Sequence, residues 1–174
     1  MIFNSVSCTV KDIAESRERR AHQSELFLKQ YNSPLVVLTL NIPGEKKVSP
    51  LYEKAFEAGV NDLKILCSEK FKIKFFCVQN DFTGYNFFMS VAEDAVAIKK
   101  ITTEFEERHF LGRIFDIDVI DVNGKKISRE ELGFPKRKCL ICENDAFVCA
   151  RSRAHSVKCL TDKIESLIGK YFEP

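Results

Sequence analysis

Residues 112–119 read GRIFDIDV, from Gly112 to Val119, and set two aspartates, Asp116 and Asp118, inside an otherwise apolar strand. Side chains alternate along a strand, so Phe115, Ile117 and Val119 share one face while Asp116 and Asp118 share the other. The two carboxylates need not be buried if the sheet leaves that face open. Asn123-Gly124 follows between alternating segments, the strongest short hairpin signal.

Upstream, Thr9 and Asp12 form a capping pattern, and no Gly or Pro interrupts the chain to Tyr31, which predicts a helix. PLVVLTLN (34–41) is an apolar run of β-formers ended by Pro43-Gly44 and reads as the first strand. Ser49 as N-cap and Pro50 at the first helical position open a helix with Tyr52, Ala55, Phe56, Gly59, Leu63 and Leu66 at helical spacing. FKIKFFCV (71–78) and YNFFMSV (85–91) read as two strands joined by a turn over Asp81 to Gly84. Glu93 to His109 carries Ile98, Ile101 and Phe105 on one side and predicts another helix.

Strand, helix, strand, strand, helix, strand is the order of a split βαβ, or ferredoxin-like, α+β sandwich. The antiparallel sheet has two helices on one face and leaves the other face open, and to it the sequence adds an N-terminal helix and a Cys-rich C-terminal segment ending in a helix. With 174 residues and 45% hydrophobic composition, the chain can bury one full core. The division expected is a single domain over 1–174, its core at 33–130 and its Cys-rich segment and final helix at 136–174.

A net charge of +2 argues against a nucleic-acid binder, which needs a larger basic excess. The longest apolar run, Leu35 to Ile42, falls far short of the roughly 20 residues that span a bilayer, so no membrane is expected. The N-terminal stretch lacks a basic start followed by an apolar segment, and seven cysteines without such a leader point to reduced thiols in the cytoplasm.

Carboxylates at i and i+2 on one strand face lie roughly 7 Å apart and can share one or two divalent cations. Mg²⁺ takes one or two protein carboxylates plus phosphate oxygens, so the pair points to nucleotidyl or phosphoryl transfer. A solvated strand with two surface acids fits the same pattern, although Asp is a poor strand former. Asp121 belongs to the opposite face, and a third ligand would come from elsewhere, Glu104 and Glu106 being the candidates.

In this fold the first strand lies beside the fourth, which brings the loop IPGEKK (42–47) to the sheet end where the fourth strand starts. Lys46, Lys47 and Arg113 would meet Asp116 there. Arg17, Arg20 and Gln23 share one broad helix face and suit phosphate oxygens, or else form a solvated face. Cys139, Cys142, Cys149 and His155 follow a C-x2-C-x6-C-x5-H spacing. Three readings fit: a structural zinc site, three buried thiols beneath the last helix, or a loop shaped by cysteines in which Arg151, Arg153 and His155 hold phosphate. Val157, Leu160, Ile164, Leu167 and Tyr171 make that last helix amphipathic.

SRERRAHQ, NIPGEKK, LGRIFDIDV and KCLICENDAFVCARSRAH, in this order and at these separations, resemble the citrate lyase holo-acyl-carrier-protein synthase family, the apo-citrate lyase phosphoribosyl-dephospho-CoA transferases. The resemblance runs from about Ser16 to the last helix. It implies transfer of phosphoribosyl-dephospho-CoA from triphosphoribosyl-dephospho-CoA to a serine of the citrate lyase acyl carrier protein subunit, with release of diphosphate. It further implies Mg²⁺ at Asp116 and Asp118; Arg17, Arg20, Gln23, Lys47 and Arg113 are the candidates for triphosphate contacts, inferred from charge and not from the family match, and Arg151, Arg153 and His155 stand in a block of unassigned role. Glu45 after Pro43-Gly44, and Phe115 where the family often has Trp, depart from its pattern but remove no implied ligand. Two further readings stay open: the same transfer to a carrier of the malonate decarboxylase type, and a non-catalytic zinc-stabilised carrier-binding module.

Overall fold

The structure is a computed structural model and describes residues 6–173; Met1 to Ser5, where any leader would begin, and Pro174 lie outside it. Helix α1 (Val10–Tyr31) starts at a capping box in which the Thr9 side chain accepts the Asp12 amide and the Asp12 carboxylate accepts the Thr9 amide. Strand β1 (Leu35–Leu40) leads to α2 (Pro50–Lys70), whose first amides are capped by the Ser49 hydroxyl. Then come β2 (Ile73–Asp81), β3 (Gly84–Val91), α3 (Ala95–Arg108) and β4 (Phe115–Ile120). The C-terminal segment forms a short helix α4 (Ala146–Ser152), which the sequence pattern did not announce, and α5 (Val157–Phe172).

The strands stand in the order β2-β3-β1-β4 with every neighbour antiparallel, the arrangement of the split βαβ sandwich. Phe115, Ile117 and Val119 turn to the face covered by α2 and α3, where they join Leu38, Phe56, Leu63, Phe87 and Ile98 in the main core. Ile164 and Ile168 bring α5 against the same core, and the Tyr52 hydroxyl donates to Glu165 across the α2–α5 contact at 3.0 Å. The segment after β4 returns only as a single bridge, Ile120 to Lys126, around Gly124. Asp121 accepts the amides of Asn123 and Lys125 and so builds that turn. Among the described residues no helix is long and apolar enough to cross a membrane.

The second face of the sheet is not open throughout. Phe27 and Leu28 of α1 pack on Leu35, Val37 and Phe88, with Tyr31 stacked on Phe75, and form a second apolar cluster. Burying each of those α1 side chains stabilises the docking by roughly 1.5–3 kcal/mol. The row Asp116–Thr39–Asn86–Gln79 of this face stays partly or fully exposed.

The outer edge of β4 is sealed by side chains. Ile117 donates its amide to Glu106 and accepts from Lys99 through its carbonyl, while Arg137 donates to the Phe115 carbonyl and the Ile127 amide to the Val119 carbonyl. The chain enters this strand through a tight turn at Gly112, where a Cβ would lie 2.0 Å from the Glu106 carbonyl oxygen. Only glycine allows that approach.

Candidate active site and metal centre

Asp116 stands opposite Thr39 on β1, Thr39 opposite Asn86 on β3, and Asn86 opposite Gln79 on β2, so one row across the sheet is polar from edge to edge. The next row, Asp118–Val37–Phe88–Cys77, is apolar except for Asp118. The aspartates therefore sit where α1 changes from apolar to polar contact. The side chain of Asp116 is 51% exposed and that of Asp118 27% exposed. Lys126 Nζ lies 2.6 Å from Asp118 Oδ2, and Arg137 Nη1 lies 4.0 Å from Asp116 Oδ1.

Among the described residues no third His, Cys, Asp or Glu gathers with this pair. Glu104 is exposed and pairs with Arg108. Glu106 is 4% exposed and bound to Arg137, Arg129 and the Ile117 amide at the strand edge. Burial pushes its carboxyl above the ordinary value, against the opposing pull of Arg137 and Lys99. Neither candidate for a third ligand is placed with Asp116 and Asp118.

The polar half of α1 lies over the wet part of the sheet. Arg20 donates to Asn86 Oδ1 at 3.3 Å in the polar row, and Gln23 is half-buried one turn further along. Arg17 is exposed and close enough to Lys47 for their charges to repel. Lys47 donates to the Ile42 carbonyl at 2.5 Å, which folds the Pro-Gly loop on itself; burial, with help from Arg17, lowers its ammonium below the usual lysine range. Gly44 takes φ +78° in that loop, and a Cβ there would meet Val157 Cγ1 at 2.7 Å. The Cys8 amide pins the loop from the other side through the Glu45 carbonyl.

Arg113 turns away from the Asp pair and donates to the carbonyls of Lys138 and Cys139, tying the Cys-rich segment to the start of β4. It borders a cavity of about 690 Å³ shared with Asn41, Ile114, Arg137, Leu140, Arg153 and His155. No local sequence pattern announces this cavity, because its walls come from segments far apart in the chain. Arg151 lies exposed on α4 and does not line it.

Cys139, Cys142, Cys149 and His155 present their ligand atoms within 4.8 Å of one another. Cys142 Sγ is 3.5 Å from Cys149 Sγ and 3.3 Å from His155 Nε2. Ligands on a tetrahedral zinc with Zn–S bonds of about 2.3 Å stand about 3.8 Å apart, so the cluster could hold a metal such as zinc. Burial raises the Cys139 thiol, but the amides of Ile141 and Cys142 and the neighbouring thiols outweigh it and bring it down to about 7. Burial and the same sulfur contacts push Cys149 up to about 11. A cation between the sulfurs would favour the thiolates.

The family model described as apo-citrate lyase phosphoribosyl-dephospho-CoA transferase matches residues 8–171. A Vibrio cholerae serotype O1 protein named probable apo-citrate lyase phosphoribosyl-dephospho-CoA transferase is 37% identical over 168 residues, 95% of this chain and 94% of its own. The apo-citrate lyase phosphoribosyl-dephospho-CoA transferase of Shigella boydii is 33% identical over 162 residues, 92% of this chain and 88% of its own. An Escherichia coli protein of the same name matches to the same extent. With a family match that spans nearly every described element, the chain belongs to the apo-citrate lyase phosphoribosyl-dephospho-CoA transferase family.

Proposed function

We propose that this protein transfers phosphoribosyl-dephospho-CoA from triphosphoribosyl-dephospho-CoA to a serine of the citrate lyase acyl carrier subunit. A phosphodiester forms at the phosphate next to the ribose, the bond from that phosphate to the next breaks, and diphosphate leaves. The observation that carries the reading is Asp116 beside Asp118 on a partly exposed patch of sheet, in one polar row with the Asn86 that Arg20 binds and bordered by Arg137, in a chain of this family.

Asp116 and Asp118 are the groups that would hold Mg²⁺, and their donor set fits: two carboxylates on one face, at least one of them exposed, with room for phosphate oxygens to complete the shell. When bound, the ion neutralises charge that builds up on the transferring phosphate. Arg20 and Arg17 offer forked donors to the phosphates above the sheet, and Lys47 adds a point charge from the Pro-Gly loop. Asp116 lies nearest to Arg137, which keeps a cation between the site and the buried Glu106. In this reading the whole chain acts as one cytoplasmic transferase domain, and zinc at Cys139, Cys142, Cys149 and His155 holds the C-terminal segment in place.

The test is the intact mass of purified apo-citrate-lyase acyl carrier subunit after incubation with the protein, Mg²⁺ and triphosphoribosyl-dephospho-CoA. The expected result is a gain equal to phosphoribosyl-dephospho-CoA that EDTA abolishes. No gain from folded protein, with this carrier and with carriers of other decarboxylases and lyases, would overturn the reading in favour of a binding module.

A further inference from the structure

The cavity of about 690 Å³ beside β4 has no part in the chemistry at the aspartates, yet its size falls within the range of small-molecule sites. Its lining divides by exposure. Ile114 and Ile164 are 1% and 2% exposed, and together with Leu140 and Leu160 they make an apolar floor. Arg113, Lys136, Lys138 and Arg153 are exposed, and with Glu107 as the one exposed acid among the lining residues they make a rim that is basic on balance. Arg129 also faces the cavity, and its Nε is buried with no hydrogen-bond partner among the described residues. Arg137 borders the cavity and lies 4.0 Å from Asp116, so the cavity opens next to the candidate site of transfer.

An occupant must therefore be anionic at one end and largely apolar at the other. A phosphate chain satisfies the rim but would lose its hydration against the apolar floor without compensation. An alkyl chain alone leaves the rim cations unanswered. The donor of the reaction proposed above contains one segment that meets both demands. Its pantetheine arm is a flexible chain of methylenes and a geminal dimethyl group broken by two amides, and it ends in a diphosphate.

We propose that this cavity receives the pantetheine diphosphate arm of the donor, a reading that rests on the function proposed above. The arm lies against Leu140, Leu160 and Ile164, its diphosphate meets Arg113 and Arg153, and Asn41 and Ser156 are the lining polar groups available to its amides. The reacting phosphates are thereby left on the sheet side of Arg137. The Cys3His cluster belongs to the same wall, since Cys139, Cys149 and His155 line the cavity. Binding of the arm consequently depends on that cluster being intact.

The experiment is calorimetric titration of the full chain, zinc-loaded, with dephospho-CoA, ADP and inorganic triphosphate. ADP carries the adenosine and diphosphate without the arm, so dephospho-CoA should bind at least about tenfold more tightly. Ala150→Trp narrows the cavity from the exposed helix α4 and should weaken dephospho-CoA about tenfold or more while leaving ADP within about twofold. The chain has no tryptophan of its own, so this variant also reports by fluorescence that it is folded. Arg153→Glu should weaken both ligands, and Asp118→Asn should leave dephospho-CoA binding unchanged. Equal affinity for dephospho-CoA and ADP, or a folded Ala150→Trp variant that binds as the wild type does, would overturn the assignment. So would triphosphate displacing dephospho-CoA in an Arg153-dependent manner, which would give the cavity to the leaving phosphates. Cavity-dependent binding of dephospho-CoA without any transfer would defeat the proposed function and leave this site standing.

Discussion

Arg137 Nη1 lies 4.0 Å from Asp116 Oδ1 while the other guanidinium nitrogen, Nη2, is bound to Glu106, so one side chain connects the exposed candidate site to the buried edge of the sheet. Removing it acts on stability and on the site by separate routes.

Arg137→Ala leaves Glu106 in a buried position with Arg129 as its remaining arginine partner, and leaves the Phe115 carbonyl without its donor. Breaking a buried pair costs about 3–5 kcal/mol, and the surviving partners reduce this to about 2–3 kcal/mol, measurable by urea unfolding. Because burial raises the Glu106 value, its protonated form is favoured in the fold. That stabilisation is complete below the unfolded value and is lost as pH rises through the folded one. Loss of Arg137 lifts the folded value further, so the variant should regain stability on acidification over a window that starts at higher pH than in the wild type. Glu106→Gln should show neither window; a pH profile unaltered by both variants would reject the pairing.

Asp116→Asn and Asp118→Asn should each lower transfer on the order of a hundredfold or more, a loss of about 3 kcal/mol of transition-state stabilisation. Both side chains are at least partly exposed, and the Lys126–Asp118 pair is a surface contact worth about 1 kcal/mol or less. Thermal melts of the two variants should therefore stay close to wild type. Turnover at wild-type rates in either would remove that carboxylate from the mechanism.

Cys142→Ser should abolish stoichiometric zinc in metal analysis and lower the melting temperature by about 5 °C or more, since binding of a structural metal is folding free energy. Zinc should also be released on acidification, because its ligands bind as thiolates and neutral imidazole. Protein purified without zinc but fully stable to chelators would show that the thiols pack without a metal.

Tyr52→Phe removes the hydrogen bond to Glu165 and should cost about 1 kcal/mol, because the exposed Glu165 can return to water. Burial, with Glu165 beside it, raises the Tyr52 hydroxyl from 10.0 to about 12. The wild type should thus lose stability relative to the variant as pH rises from 10.0 towards about 12. Absorbance titration of tyrosinate, compared between the two proteins, assigns the late-titrating group.

The sequence carried the sheet order well, since Pro43-Gly44, the turn over Asp81 to Gly84 and the alternation in β4 each impose a local geometry that agrees with the fold, whereas the hairpin expected at Asn123-Gly124 forms only a turn with a single bridge. It also carried the Cys3His cluster, because four thiol and imidazole groups within seventeen residues cannot scatter far. It did not reveal that α1 covers half of the second sheet face. Phe27 and Leu28 stand near the end of a helix whose middle reads RERR (17–20), and the charged stretch hides the docking end. Nor did it reveal the Glu106–Arg137–Arg129 group. Charged residues normally point outwards, and nothing local joins partners separated by 31 positions.

The sealed outer edge of β4 also bears on how another protein can approach. Glu106, Lys99, Arg137 and Ile127 already answer the backbone groups along that edge, so β-augmentation there would first have to strip them away. In the proposed transfer, a carrier protein arriving at Asp116 would therefore present a loop or helix bearing its acceptor hydroxyl, and recognition on this side would proceed through side chains instead of strand pairing.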